Sequence, residues 1–356
     1  MPIETKRHLA DLFRVDLDGK SRKGCLRLDM NENVSGLPED FVKEVLSGID
    51  AGHIAAYPEY RGLKEKIAAH NGIEVKNICL SNGSDAAIKY IFDAYISPGE
   101  RVLMTDPTFA MYPVYCNMFN AVPLIAEYRR DLSFPEDDFL RMLNEGVKMA
   151  VIVNPNNPTG SILQKGKIQS IIDKCAAKDI IIVIDEAYFY YCPETLIRLV
   201  NEYKNLIVLR TFSKLCGIAS LRIGYAAACP EIISGLSKVK PTFDVNSLAV
   251  LFAEKILDSP GVIQDLVEAT NEGKAFLGEK LAEAGMKYVA GGANFILINC
   301  PDRVREIIDG LAGRNILVGG AFRQEFLKDY VRVTVGDKKS MEVFWEAFSE
   351  IWKTGR

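Results

Sequence analysis

The sequence contains no apolar run approaching the ~18–20 residues needed to cross a bilayer, so a membrane-spanning protein is not expected. Met1 to Asp11 likewise carries no apolar stretch of the signal-peptide kind. There is no C-x-x-C pair. The eight cysteines (Cys25, Cys79, Cys116, Cys175, Cys192, Cys216, Cys229, Cys300) are scattered, which fits free thiols in a reducing cytoplasm better than a disulfide framework or a zinc site. Histidine is scarce: His8, His53 and His70 all fall in the first fifth of the chain, which leaves little basis for a histidine metal site or a Ser-His-Asp triad. A net charge of −4 offers no basic footprint for nucleic acid. Finally, no G-x-G-x-x-G follows a predicted strand, so a dinucleotide-dependent oxidoreductase lacks its phosphate loop.

What is present is an ordinary globular composition, 48% hydrophobic and 25% charged, spread over 356 residues. That length exceeds one ordinary core and predicts two unequal domains or one large α/β unit. From about residue 41 to 240, short apolar runs alternate with helical patterns. Strands are predicted at 78–80, 101–104, 149–153, 180–184, 206–209 and 223–227, and the segment 160–178 reads as an amphipathic helix with Ile162, Leu163, Ile168, Ile171 and Ile172 on its apolar face. Such alternation predicts an α/β fold with a mostly parallel central sheet. Lys240-Pro241 reads as a boundary. Beyond it come a long helical stretch (247–284), strands at 295–298 and 330–335, and helices at 303–310 and 340–352. The division expected is a large domain, 41–240, and a smaller α+β domain made of 1–40 and 241–356.

Three polar signatures follow three consecutive predicted strands: Asn156-Asn157-Pro158-Thr159-Gly160, Asp185-Glu186-Ala187-Tyr188 and Thr211-Phe212-Ser213-Lys214. Asn157, Asp185 and Lys214 lie 28 and 29 positions apart, about one βα unit each. In an open α/β sheet ligands sit beyond the carboxyl ends of the strands, so this spacing collects an amide, a carboxylate, hydroxyls and an amine around one crevice. Each signature has a plain structural reading alone: a turn, a helix cap, a solvated lysine. Their joint order and spacing are much harder to explain that way. Upstream, Ser81-Asn82-Gly83-Ser84-Asp85 precedes a helical pattern, so backbone N–H groups there can receive a phosphate.

On these motifs, together with Leu28-Asp29-Met30-Asn31-Glu32-Asn33 near the start, Val331-Arg332-Val333-Thr334-Val335-Gly336 near the end, and Arg222 eight residues after Lys214, the chain resembles the fold-type I pyridoxal-phosphate (PLP) enzymes, most closely the histidinol-phosphate aminotransferase group. The resemblance implies that Lys214 carries the cofactor as a Schiff base and then acts as acid and base. Asp185 would pair with the pyridine nitrogen, and an anion there keeps the ring protonated as an electron sink. Asn157 and Tyr188 would bond the phenolic oxygen. Phe109 would stack on the ring. Gly83, Ser84, Asp85, Thr211, Ser213 and Arg222 would form the phosphate cup. Arg332 would bind the substrate α-carboxylate, with Asn33 beside it. Tyr57 would reach the cofactor phosphate of a partner subunit, implying a homodimer with shared sites, and Asn157-Pro158 would be a cis peptide.

The activity implied is transfer of an amino group from an amino acid to a small keto or aldehyde acceptor. A decarboxylase of a small, phosphorylated amino acid is the alternative, since the same sink stabilises a carbanion formed by loss of CO₂. The substrate end departs from the resemblance. Val34-Ser35 stand where a proline and an aromatic are usual, Gly319-Gly320 where an arginine is usual, and Val343 where a second C-terminal arginine is usual. Arg22, Arg323, Lys338 and Lys339 are the cations that could replace them.

Overall fold

A computed structural model describes residues 5–10, 12, 21–192 and 194–354, so parts of the N-terminal stretch read above lie outside the described residues. Twelve strands occur among them: β1 Leu26–Leu28, β2 Ile78–Ser81, β3 Arg101–Asp106, β4 Val122–Glu127, β5 Val147–Val153, β6 Ile181–Asp185, β7 Leu206–Thr211, β8 Gly224–Ala228, β9 Tyr288–Ala290, β10 Phe295–Asn299, β11 Ile316–Val318 and β12 Tyr330–Thr334. Seven form the central sheet in the order β2-β8-β7-β6-β5-β3-β4. Its pairings are parallel from β4 to β7 and antiparallel on both sides of β8.

The inner strands read as unbroken apolar runs because both faces are covered. Side chains alternate between the faces. Ala150, Ile152, Ile182, Ile184, Leu206 and Val208 join one core with the helix Lys165–Ala176. Met149, Val151, Val183, Ile207 and Leu209 join the other with the helices Ser84–Tyr95 and Pro230–Val239. The amphipathic helix starts at Lys165, later than expected. Residues before it are held extended because Asn154 brackets Leu163, accepting its N–H at 2.8 Å and donating to its carbonyl at 3.3 Å. Ile162 is consequently exposed, not on an apolar face.

The helical stretch 247–284 is two helices, Ser247–Leu257 and Pro260–Glu283. Pro260 cannot continue a helix but suits its first turn, so it ends one and starts the next. The buried residues of 247–257 belong to the large-sheet core, where Ala249, Val250, Phe252, Ala253 and Ile256 join Leu63 and Ile67, rather than to the core of the C-terminal elements. The latter build a separate core: the sheet β12-β10-β9, the parallel pair β1-β11, and the helices Val304–Ala312 and Lys338–Thr354 around Leu28, Ile296, Val331 and Phe348. Among the described residues no helix is long and apolar enough to cross a membrane.

Candidate active site

The sheet topology reverses between β3 and β5: the chain steps outward from β3 to β4, then returns and proceeds from β5 through β6 to β7. Such a switch leaves a crevice at the carboxyl ends of the strands. A cavity of about 560 Å³, counted with its open mouth, occupies it. Its walls bring together Ser84, Asp85, Phe109, Asn157, Asp185, Tyr188, Thr211, Ser213, Lys214 and Arg222, with Val153 and Ala187 as two additions that sequence did not suggest.

One end of the cavity is an anion cup. The register Ser81–Gly224–Thr211 across β2, β8 and β7 aligns three chain segments there. Gly83, at φ +81°, precedes the helix Ser84–Tyr95, whose first turn has no side-chain cap, leaving its N–H groups for a ligand. The Ser213 hydroxyl accepts from Thr211 Oγ1 at 2.9 Å and from Arg222 Nη1 at 3.3 Å. Arg222 holds a left-handed backbone, φ +56°, and its Nη2 donates to Asp85 Oδ1 at 2.8 Å. A Cβ at Gly83 would fall on that guanidinium, and one at Gly224 would lie 2.6 Å from the Ser84 nitrogen.

At the other end lies Asp185, 2% exposed. Burial pushes it up to about 6, against the opposing pull of the Tyr112 hydroxyl, the Ala187 N–H and the Lys214 charge; neighbouring Glu186 raises it further. Tyr112 donates to Oδ2 at 2.9 Å and Ala187 N to Oδ1 at 3.1 Å. Tyr112, on the helix Met111–Met118, was not singled out from sequence.

Lys214 lies between these ends. Burial lowers its amine to about 8; Arg332 and Arg222 lower it too, while Glu32 and Asp185 oppose them. Its Nζ donates to the Met30 carbonyl at 3.0 Å. The Tyr188 hydroxyl accepts from Asn31 Nδ2 at 2.8 Å, and burial raises this phenol to about 12. Phe109 is half-buried and meets Tyr112 edge-on. The Asn157–Pro158 bond is cis, and so are Asp106–Pro107 and Asn154–Pro155, which the sequence reading did not include.

Arg332, on β12, reaches across to the large sheet. Its Nη1 donates to Asn157 Oδ1 at 2.6 Å and its Nη2 to the Asp29 carbonyl at 2.7 Å, while the buried Nε has no hydrogen-bond partner among the described residues. Asn33 does not join it. Its amide donates to the Leu215 carbonyl at 2.6 Å and its Oδ1 receives the N–H groups of Ser35 and Gly36, so it closes its own turn. Asn31, two residues earlier at φ +56°, is the asparagine that meets the cavity wall. Tyr57 lies apart from this cavity, 74% exposed and stacked on Phe243 with ring centroids 4.0 Å apart.

Residues 23–348 match the family Aminotransferase class I and II. The chain belongs to the class I and II aminotransferases. A histidinol-phosphate aminotransferase from Thermoanaerobacter pseudethanolicus (strain ATCC 33223 / 39E) is 34% identical over 329 residues, covering 91% of this chain and 92% of that protein. The fold is shared with a crystal structure of histidinol-phosphate aminotransferase from Sinorhizobium meliloti in complex with pyridoxal-5'-phosphate (TM-score 0.84, 21% identity, 93% and 91% coverage). It is shared also with L-threonine-O-3-phosphate decarboxylase from Porphyromonas gingivalis (TM-score 0.78, 24% identity, 92% and 99% coverage). This aminotransferase is thus a PLP-dependent α/β enzyme that takes an amino donor and a keto or aldehyde acceptor.

The residues on the cavity wall fit PLP. Uncapped helix N–H groups, two hydroxyls and a guanidinium suit a phosphate dianion. Glycines at 83 and 224 keep that cradle clear of side chains. The buried Asp185 carboxylate at the far end makes no ion pair among the described residues, and a protonated ring nitrogen would provide one.

Proposed function

We propose that Lys214 is the cofactor lysine of this aminotransferase and that its amine also moves the substrate proton. The observation that carries this reading is one cavity with Lys214, Asp185 and the Ser213–Arg222 cup on its walls. Bound PLP supplies an aldehyde for the amino group and a ring that draws electron density from the substrate Cα. Asp185 would accept the ring N–H, and the Tyr112 hydroxyl would keep that carboxylate oriented. Asn157 and Tyr188 would hydrogen-bond the ring oxygen, and Phe109 would cover the ring face. Ser84 and Asp85 through their N–H groups, with Thr211, Ser213 and Arg222, would hold the phosphate. Lys214, with its amine lowered to about 8, is half free base near pH 8 and largely so above it, and is able to take a proton from Cα and return it. Arg332 would take the donor carboxylate through its guanidinium, whose Nε has no hydrogen-bond partner among the described residues.

The acceptor proposed is a small keto or aldehyde compound bearing a phosphate, by analogy with the substrate in the curated relative's name. Histidinol phosphate itself is less favoured, since Gly319, Gly320 and the exposed Val343 offer no cation, and Arg22 is already engaged by Asp29 and Glu32. We also propose a cytoplasmic homodimer in which Tyr57, exposed here, reaches the partner's cofactor phosphate. The decarboxylase alternative has weaker support, because the decarboxylase neighbour is below 25% identical and shares the fold alone.

Glutamate added to the purified holoenzyme should bleach the visible cofactor absorbance to that of pyridoxamine phosphate, and phosphorylated keto acids should restore it better than plain ones. CO₂ release without that bleaching would favour the decarboxylase. Lys214→Ala should lose both the visible absorbance and turnover; retention of either sinks the lysine assignment.

A further inference from the structure

Behind the cofactor cavity, on the opposite face of the sheet, two ionised side chains are almost wholly buried. The Glu186 and Arg210 side chains are each 2% exposed and paired at 2.9 Å. Their polar atoms are fully used. Glu186 Oε2 accepts from Arg210 Nε at 3.1 Å, Nη2 at 2.9 Å and the Thr195 hydroxyl at 2.7 Å, while Oε1 accepts the Leu196 N–H at 2.7 Å. Arg210 Nη1 donates to Asn71 Oδ1 at 2.6 Å, and the guanidinium carbon lies 3.4 Å from the centre of the Phe189 ring.

A buried ion pair is a poor device for stability alone, since an apolar pair of similar volume is often as stable. Its location is more informative. Glu186 follows Asp185, Phe189 follows Tyr188, and Arg210 precedes Thr211. Side chains alternate along a strand, so Asp185 and Thr211 face the cavity while Glu186 and Arg210 face away from it. Three of the proposed cofactor contacts, Asp185, Tyr188 and Thr211, thus have a clamp residue as chain neighbour. The clamp joins the end of β6, the segment after it and the end of β7, the three places that hold the ring nitrogen, the ring oxygen and the phosphate.

We propose that Glu186 and Arg210 are positioning residues for the cofactor: their buried pair sets the spacing between Asp185 at one end of the cavity and Thr211 at the other. This rests on the reading that Asp185 and Thr211 contact PLP. The pair ties the backbones of two neighbouring strands at the point where each delivers its contact, so its loss should loosen the cofactor without unfolding the chain.

The test compares three variants of the full chain by cofactor dissociation constant, visible circular dichroism per bound cofactor, and melting temperature with and without PLP. Glu186→Leu/Arg210→Met removes both charges together and leaves no unpaired ion. It should melt near wild type without PLP, bind PLP about tenfold more weakly, as when residues orienting a site's ligands are lost, and show reduced dichroism. Glu186→Gln still accepts from Arg210 and should recover most of the affinity and dichroism. Arg210→Met alone leaves a buried anion; if it fails to fold, the double variant decides. A double variant with wild-type affinity and dichroism overturns the proposal. So does one that loses as much melting temperature without PLP as with it, because the pair would then be merely structural. Wild-type protein that binds no PLP would instead refute the cofactor reading itself.

Discussion

Asp185 should make the cofactor-free protein less stable than it could be, and replacing it should expose that cost. Its carboxyl is raised from 3.8 to about 6 by burial. An acid whose folded value is raised binds its proton more tightly when native, so its contribution is most favourable below 3.8 and is lost as pH rises through 6. At ~1.4 kcal/mol per pH unit, the full cost above pH 6 is about 3 kcal/mol. By the same linkage it falls to about 1 kcal/mol at pH 4.5, where the native carboxyl is mostly protonated. Asp185→Asn removes this charge. Tyr112 can still donate to the amide oxygen, but the Ala187 N–H would face an NH₂ group, which costs about 1 kcal/mol at either pH. The expected result, from denaturant titration of cofactor-free protein, is a net gain of about 2 kcal/mol at pH 7.5 and almost none at pH 4.5. The hydrogen-bond cost cancels in that difference of about 2 kcal/mol, leaving only the ionisation. With PLP present the order should reverse, because the variant cannot pair with a charged ring nitrogen. A variant equally stabilised, or equally destabilised, at both pH values would refute the claim that Asp185 carries a strained charge.

Three further outcomes are expected. Tyr112→Phe removes the 2.9 Å donor to Asp185 Oδ2, so PLP should dissociate roughly 10- to 100-fold more readily, the range for a lost hydrogen bond to a charged group; unchanged affinity would assign Tyr112 to packing. Arg332→Lys loses the fork and should raise the KM of the amino donor roughly tenfold or more while leaving the cofactor absorbance in place; a change confined to kcat would place the carboxylate elsewhere. Cofactor-free protein should capture PLP through the neutral Lys214 amine, with a rate rising with pH about a midpoint near 8; a midpoint above 10 would mean an ordinary solvated lysine.

The chemistry that sequence made legible is the part delivered by single strand ends. β5, β6 and β7 are largely apolar; Asp185 ends β6, and Asn157 and Lys214 lie four and three residues past the ends of β5 and β7, so reading the strands places the groups. Edge strand β4 escaped because it is largely exposed and carries Pro123, which a paired inner strand could not. The pairing of Leu26–Leu28 with Ile316–Val318 escaped because three-residue runs nearly 300 positions apart leave no periodicity. Inside the site the same division applies. Tyr112 could not be told from a core tyrosine, since only its depth beside Asp185 gives its hydroxyl a task. Asn31 and Asn33 are chemically identical and two positions apart; what separates them is a left-handed backbone at 31 and a contact to Tyr188 that spans 157 residues. The proposed cofactor contacts therefore read from local order, whereas the groups proposed to tune them, Tyr112, Asn31 and the Glu186–Arg210 pair, meet their partners only through the tertiary fold. The proposed substrate contacts belong to the second kind: Arg332 comes from the C-terminal sheet to meet Asn157, and whichever cations would meet the substrate's far end must cross the same gap.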